Sequence, residues 1–236
     1  MSNKIYQSET SKHRGRLAPY CTGYGIDIGF GGDPITPNAI RVDMEVPYAY
    51  AGENGVQLGG DCRNLFWFAD GVLDFVYSSH VLEDFDVNQT IPVMTEWTRI
   101  LKEGGRLILL QPDQQRYAAY CQKTGHPQNP HHAIEHFSLA YLVAAARKMG
   151  NLEVLASADE IDEYSFFVVF TKKTAATASA AQAQEEAEVK RLRLELARVE
   201  SQLQKTRHSL ERYRNDPLIR FLKIPYQALK KIAGKS

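Results

Sequence analysis

The run Gly23-Tyr-Gly-Ile-Asp-Ile-Gly-Phe-Gly-Gly-Asp33 joins an apolar stretch to a glycine turn. Gly29, Gly31 and Gly32 put no Cβ between the backbone and a ligand, so the main chain can approach one closely. Asp27 ends the apolar stretch, where ligands of open α/β sheets bind. Asp43 ends the next apolar segment, and a carboxylate there can accept both hydroxyls of a ribose. Gly60-Asp61-Cys62 ends a third segment. A carboxylate beside a backbone N–H can read the amino group and ring nitrogen of adenine. A fourth strand then runs into Ser78-Ser79-His80-Val81-Leu82-Glu83-Asp84, a polar loop at the same rim. Asp113, His126, His131, His132 and His136 follow beyond a fifth. A hydroxyl acceptor needs a general base, because its own pKa lies far above neutral. His131 or His132 could serve as that base, with Asp113 orienting it, while His80, Glu83 and His126 are placed to contact an acceptor.

Two competing chemistries fit less well. A dinucleotide site needs G-x-G-x-x-G, but the residue five beyond Gly29 is Pro34. His132-Ala-Ile-Glu-His136 matches the H-x-x-E-H pattern of some zinc peptidases. No third ligand is evident, so no metal is expected, although a metal that organises an acceptor diol stays open.

These residues need a scaffold. Strands are expected at 24–28, 39–43, 56–58, 72–77, 106–110, 152–156 and 166–171. Helices are expected at 87–101, closed by Lys102-Glu-Gly-Gly105, and at 138–149, closed by Gly150. The stretch between Gly29 and Ala39 holds Pro34 and Pro37 and is too short for a full crossover helix. Residues 1–16 are polar and read as a flexible lead-in. Alternating strands and helices in this order predict a doubly wound α/β sheet.

The ordered set resembles class I S-adenosylmethionine-dependent methyltransferases of the small-molecule type with a Ser-Ser-His-Val-Leu-Glu loop. Arg99-Ile-Leu-Lys-Glu-Gly-Gly-Arg-Leu is similar to that family's approach to strand five, and Tyr164-Ser-Phe-Phe-Val-Val-Phe to its last strand. The resemblance implies a Rossmann-like sheet of seven strands with the last antiparallel. It implies S-adenosylmethionine as cofactor, with methionine-moiety contacts from Gly29, Phe30 and Gly31, ribose contact from Asp43 and adenine contact from Asp61 and Cys62. Asp27 and Ser78 complete the expected cofactor set. Asp33 departs from the family, which has a third glycine there.

The methyltransferase domain is expected to span 17–173. Residues 1–171 carry 13 Lys+Arg against 21 Asp+Glu, whereas 172–236 carry 15 against 7. An acidic domain argues against nucleic acid as substrate. Residues 174–184 read as a linker or weak helix. Val189, Leu192, Leu196, Val199, Leu203, Thr206, Leu210 and Tyr213 recur at heptad spacing over 185–214, which predicts a coiled coil and a homo-oligomer, with a single amphipathic helix packed on the domain as the alternative. In 215–236, Leu218, Phe221, Leu222, Leu229 and Ile232 oppose Arg220, Lys223, Lys230 and Lys231, as in a basic amphipathic helix for an anionic membrane surface. The alternative is a tail helix that docks on protein. The three cysteines show no CxxC spacing and no secretory signal is visible, so a cytoplasmic location is expected, peripheral on the inner membrane. This layout is similar to that of bacterial surface-polysaccharide methyltransferases, which implies O-methylation of a sugar in a surface or lipid-linked glycan. A soluble small-molecule acceptor and a non-catalytic scaffold are the rivals.

Overall fold

Seven strands form one sheet in the order β3-β2-β1-β4-β5-β7-β6. They are β1 (Gly25–Ile28), β2 (Ile40–Asp43), β3 (Leu58–Gly59), β4 (Leu73–Ser79), β5 (Leu101–Pro112), β6 (Leu152–Ala158) and β7 (Ser165–Lys172). The computed structural model describes residues 8–47 and 54–215. Strands β3, β2, β1, β4 and β5 pair in parallel, and β7 is antiparallel to both β5 and β6. The sheet is the expected Rossmann-like methyltransferase architecture, with its reversed strand at the expected place. All four β1 residues are buried, as a central parallel strand covered on both faces requires.

The parallel strands leave their carboxyl ends on one edge, so Asp27, Asp43, Gly59 and Ser79 all reach the same rim. Helices cover the two faces unequally. On one face, α2 (Thr90–Arg99) and α4 (Leu139–Met149) pack Val93, Met94, Trp97 and Leu142 against Ile26, Ile28, Leu107 and Phe166. Ser138 caps α4 by accepting from Tyr141 N–H, and Gly150 closes it at φ 77. On the other face no helix links β1 to β2. Ile35 and Ala39 from that crossover pack instead with Leu17 of an N-terminal helix, α1 (Glu9–Leu17), over Phe75, Tyr77, Ile108 and Leu110.

Several boundaries differ from the expectation, each for a local reason. Residues 9–16 are helical rather than a flexible lead-in. Ser8 caps α1, and Ser8 and Arg14 both bond the Asp33 carboxylate. Lys102–Gly105 does not end a helix. These residues belong to β5, whose register against β4 shifts between Leu73 and Phe75, and Gly104 takes φ 75 there. The helix before it therefore stops at Arg99. A further helix, α3 (Gln114–Thr124), escaped the sequence reading entirely.

The chain divides into two compact units, 1–178 and 179–236. Helix α5 (Ala175–Asn215) starts within the stretch expected as a linker or weak helix. On it Val189, Leu192, Leu196, Val199, Leu203 and Leu210 are exposed. Among the described residues no helix is long and apolar enough to cross a membrane. The basic amphipathic segment lies outside the described residues beyond Asn215.

Candidate active site

The glycine turn is built by its neighbours. Gly29 N–H donates to Val42 O at 2.8 Å, and Gly31 N–H donates to Asp43 Oδ2 at 3.2 Å. Asp43 Oδ1 accepts from Met44 N–H at 2.8 Å. Each Asp43 oxygen keeps a second lone pair, so the carboxylate can hold the turn and still accept from a diol. Partial burial raises its pKa, opposed by those two N–H donors. Asp27 is fully buried; its Oδ2 accepts from Ile35 N–H at 2.6 Å, and Oδ1 has no partner. Burial pushes its carboxyl well above the usual range. It therefore organises the crossover from beneath the turn. Phe30 is buried, and Ser78 Oγ donates to Ile28 O at 3.1 Å, tying β4 to β1.

Gly29 has φ 67, and a Cβ there would lie 2.2 Å from Val81 Cγ2. Gly29→Ala should destabilise the fold by about 1–3 kcal/mol in urea denaturation. Adding Val81→Ala should restore only part of this, because the positive φ remains strained.

Asp61 and Cys62 lie on the turn after β3. Arg63 clasps the Asp61 carboxylate, Nη2 to Oδ2 at 2.6 Å and Nε to both oxygens at 2.9 Å, and holds its pKa below the usual range. Gly60 N–H donates to Asp43 O at 2.9 Å, which brings this turn beside Asp43. The Cys62 thiol is pushed up to about 12 by burial, and its carbonyl accepts from Trp97 Nε1 at 2.8 Å.

A second group of polar side chains lies beyond β4 and β5. His80 is the only non-glycine residue with positive φ among the described residues, at 54°. Non-glycine residues held there concentrate at functional sites. Its Nδ1 is 3.5 Å from Glu83 Oε1, and its Nε2 is buried without a partner. Glu83 is 1% exposed and its Oε2 is also unpartnered. His132 Nε2 lies 3.8 Å from Glu83 Oε1 on the other side. The His132 Nδ1 is fixed at 2.7 Å by Gln114 Oε1, and Tyr117 packs over the ring at 4.6 Å between centroids. Burial pushes the His132 pKa down to about 4 and also lowers that of His80, which favours the neutral imidazole at both. At the end of β5, Gln111 is wholly buried with both amide atoms unpartnered.

The histidine expectations divide accordingly. His132 joins His80 and Glu83, whereas His131 and His126 are exposed. His126 Nδ1 bonds Pro127 O at 2.8 Å. Asp113 does not orient a histidine. It caps α3, accepting from Arg116 N–H at 3.0 Å, and the orienting group is the next residue, Gln114. The H-x-x-E-H reading fails on geometry, since residues 132–136 form no helix and Glu135 and His136 face solvent. Gln111, Gln114 and Tyr117 were missed. A reading of α3 with Asp113 as its cap would have placed the last two beside the site.

Comparison with known proteins agrees with this fold. The sequence profile described as a methyltransferase domain matches residues 24–109. No curated protein matches the chain. A Pyrococcus horikoshii protein of known structure aligns with TM-score 0.55 and 18% identity, over 72% of this chain and 94% of its own. An Archaeoglobus fulgidus S-adenosylmethionine-dependent methyltransferase aligns with TM-score 0.54 and 16% identity, over 71% and 96%. A Thermotoga maritima S-adenosylmethionine-dependent methyltransferase, described as a possible histamine N-methyltransferase, gives 0.51 and 22%, over 69% and 89%. These likenesses are to the fold. With the matched segment covering the glycine turn, the carboxylate-ended strands and the polar loop, the chain is a methyltransferase enzyme whose cofactor is S-adenosylmethionine.

Proposed function

We propose that the enzyme transfers a methyl group from S-adenosylmethionine to a hydroxyl of a sugar, in a surface glycan or a lipid-linked glycan at the inner membrane. The observation that carries a hydroxyl acceptor is the unsatisfied polar group beyond β4 and β5. His80 Nε2, Glu83 Oε2 and both Gln111 amide atoms are buried without partners. Such groups carry a desolvation cost that a polyhydroxyl ligand would offset by hydrogen bonding to them. In this reading Gly29, Phe30 and Gly31 border the methionine moiety, Asp43 accepts from the ribose, and Asp61 and Cys62 border the adenine. Asp27 and Ser78 hold that rim from below. His80 Nε2 receives the acceptor proton while Glu83 fixes the imidazole through Nδ1. The O–C bond forms as the methyl carbon–sulfur bond breaks, in line. The products are the methyl ether, S-adenosylhomocysteine and an imidazolium.

The exposed apolar stripe of α5 supports self-association through 185–214. The basic tail at 215–236 is the element we assign to an anionic membrane surface, which would hold the domain near a lipid-linked acceptor.

Calorimetric titration with S-adenosylmethionine, followed by transfer of radiolabelled methyl to extracted glycan, tests the proposal. Label in a small-molecule fraction would favour a soluble acceptor, and absence of cofactor binding would favour a scaffold. Asp43→Ala should weaken cofactor binding by about 1–3 kcal/mol through the lost ribose hydrogen bonds. An unchanged affinity would remove Asp43 from the site.

A further inference from the structure

The group around Glu83 also holds Asp84 and His132, which the acceptor reading leaves without a role. Asp84, Glu83 and His132 each present a ligand-type atom, and the three lie within 4.8 Å of one another. Glu83 is 1% exposed and the His132 side chain is 5% exposed. Among the described residues no Lys or Arg bonds to the Glu83 carboxylate, and its Oε2 has no hydrogen-bond partner. A buried carboxylate in that condition must hold a proton or meet a cation.

His132 is arranged for the second outcome. Gln114 Oε1 takes up its Nδ1 at 2.7 Å, which leaves the Nε2 lone pair directed toward Glu83. An outer partner on the far ring nitrogen is the usual way a metal-ligating histidine is fixed. The two loops that carry these groups are also locked together. Ala133 N–H donates to Glu83 O at 2.8 Å, so His132 and Glu83 are held in register before any ion arrives.

We propose that Glu83, His132 and Asp84 form a binding site for a divalent transition-metal ion. One imidazole and two carboxylates favour Zn²⁺, Mn²⁺, Co²⁺ or Ni²⁺ over Ca²⁺ or Mg²⁺, which prefer all-oxygen sets. With metal–ligand bonds of about 2.0–2.2 Å, ligand atoms sit roughly 3–3.5 Å apart, so the side chains need to close only modestly on the ion. Two or three coordination positions would stay open. Resting on the hydroxyl-acceptor reading above, those positions suit a vicinal diol, and His80 would receive the proton of the bound hydroxyl.

A second cluster, Glu9, His13 and Asp162, provides the control. There His13 Nε2 is already paired with Asp162 Oδ2 at 2.7 Å.

The test uses the full chain, stripped with chelator and titrated with MnCl₂ or ZnCl₂ in the absence of S-adenosylmethionine. One ion per chain is expected. Gln114→Ala should weaken binding about 10–100-fold, and His132→Ala by at least as much. His13→Ala should leave it unchanged. Pulsed electron paramagnetic resonance of the Mn²⁺-loaded wild type should show coupling to one imidazole nitrogen, a readout that does not depend on any variant folding. No ion retained by the wild type, no nitrogen coupling, or loss of binding in His13→Ala but not in His132→Ala would each overturn the assignment. The cofactor titration is separate, so its failure would not be confused with failure of the metal site.

Discussion

His80→Asn is expected to lower the methyl-transfer rate constant about 10²–10⁴-fold, the usual contribution of a general base. The Kd for S-adenosylmethionine should stay within about twofold of wild type, because the loss falls on the transition state. Asparagine is the informative replacement. His80 sits at φ 54, a conformation that asparagine tolerates far better than alanine, so the backbone is kept while the imidazole is removed. The pH dependence gives a second readout. Burial lowers the His80 pKa from its ordinary value, opposed by the charges of Glu9 and Asp162. The neutral form is the proton acceptor, so the wild-type rate should fall as pH drops through that lowered pKa and be level across pH 7–8. In His80→Asn that acid limb should disappear. A variant that kept both the rate and the acid limb would exclude His80 as the base.

The parts of this site that were legible in the sequence are those set by strand alternation and glycine. Asp43 and the Gly29–Gly32 turn fall at strand ends because the apolar runs before them stop there. The Ser138 cap and Gly150 mark α4 without help from the rest of the chain. The parts that stayed hidden depend on distant partners. In α1 only Thr10 and Leu17 are buried, so no apolar stripe announces a helix. What holds it is Asp33, reached by Ser8 and Arg14, and Asp162, reached by His13. Asp33, read as a departure in the glycine loop, thus anchors the helix that covers the face left bare by the missing crossover helix. In α3 the buried pair Tyr117 and Cys121 is too narrow a stripe to stand out. Without that helix, Gln114 could not be recognised as the partner of His132. Nor can spacing alone separate His131 from His132, since adjacent loop residues exchange their roles with one change in backbone direction.

Trp97 links the stability of the core to the turn that carries Asp61, and its replacement should give the largest loss of stability. It is wholly buried between α2 and the sheet, and its Nε1–H reaches the Cys62 carbonyl at 2.8 Å. The periodicity of α2 identifies it as a core residue but not as an anchor of the turn after β3. Trp97→Ala should cost about 3–5 kcal/mol in urea denaturation, the range for a fully buried large aromatic. Trp97→Phe keeps most of the apolar volume and removes the donor, so it should cost about 1–3 kcal/mol. The phenylalanine variant isolates the functional consequence. Cys62 O would lose its partner, and the turn that carries Asp61 would lose its tie to α2. The Kd for S-adenosylmethionine should therefore rise several-fold, while the rate constant at saturating cofactor stays near wild type, as for an interaction made equally in the ground and transition states. If stability fell and cofactor affinity did not, the turn would be held by its own bonds instead. Those are Asn64 N–H to Asp61 O at 3.0 Å and Arg63 N–H to Asp61 Oδ1 at 2.9 Å. Asp61→Ala would then be the variant that moves the adenine contact, because it breaks the Arg63 clasp and one of those turn bonds.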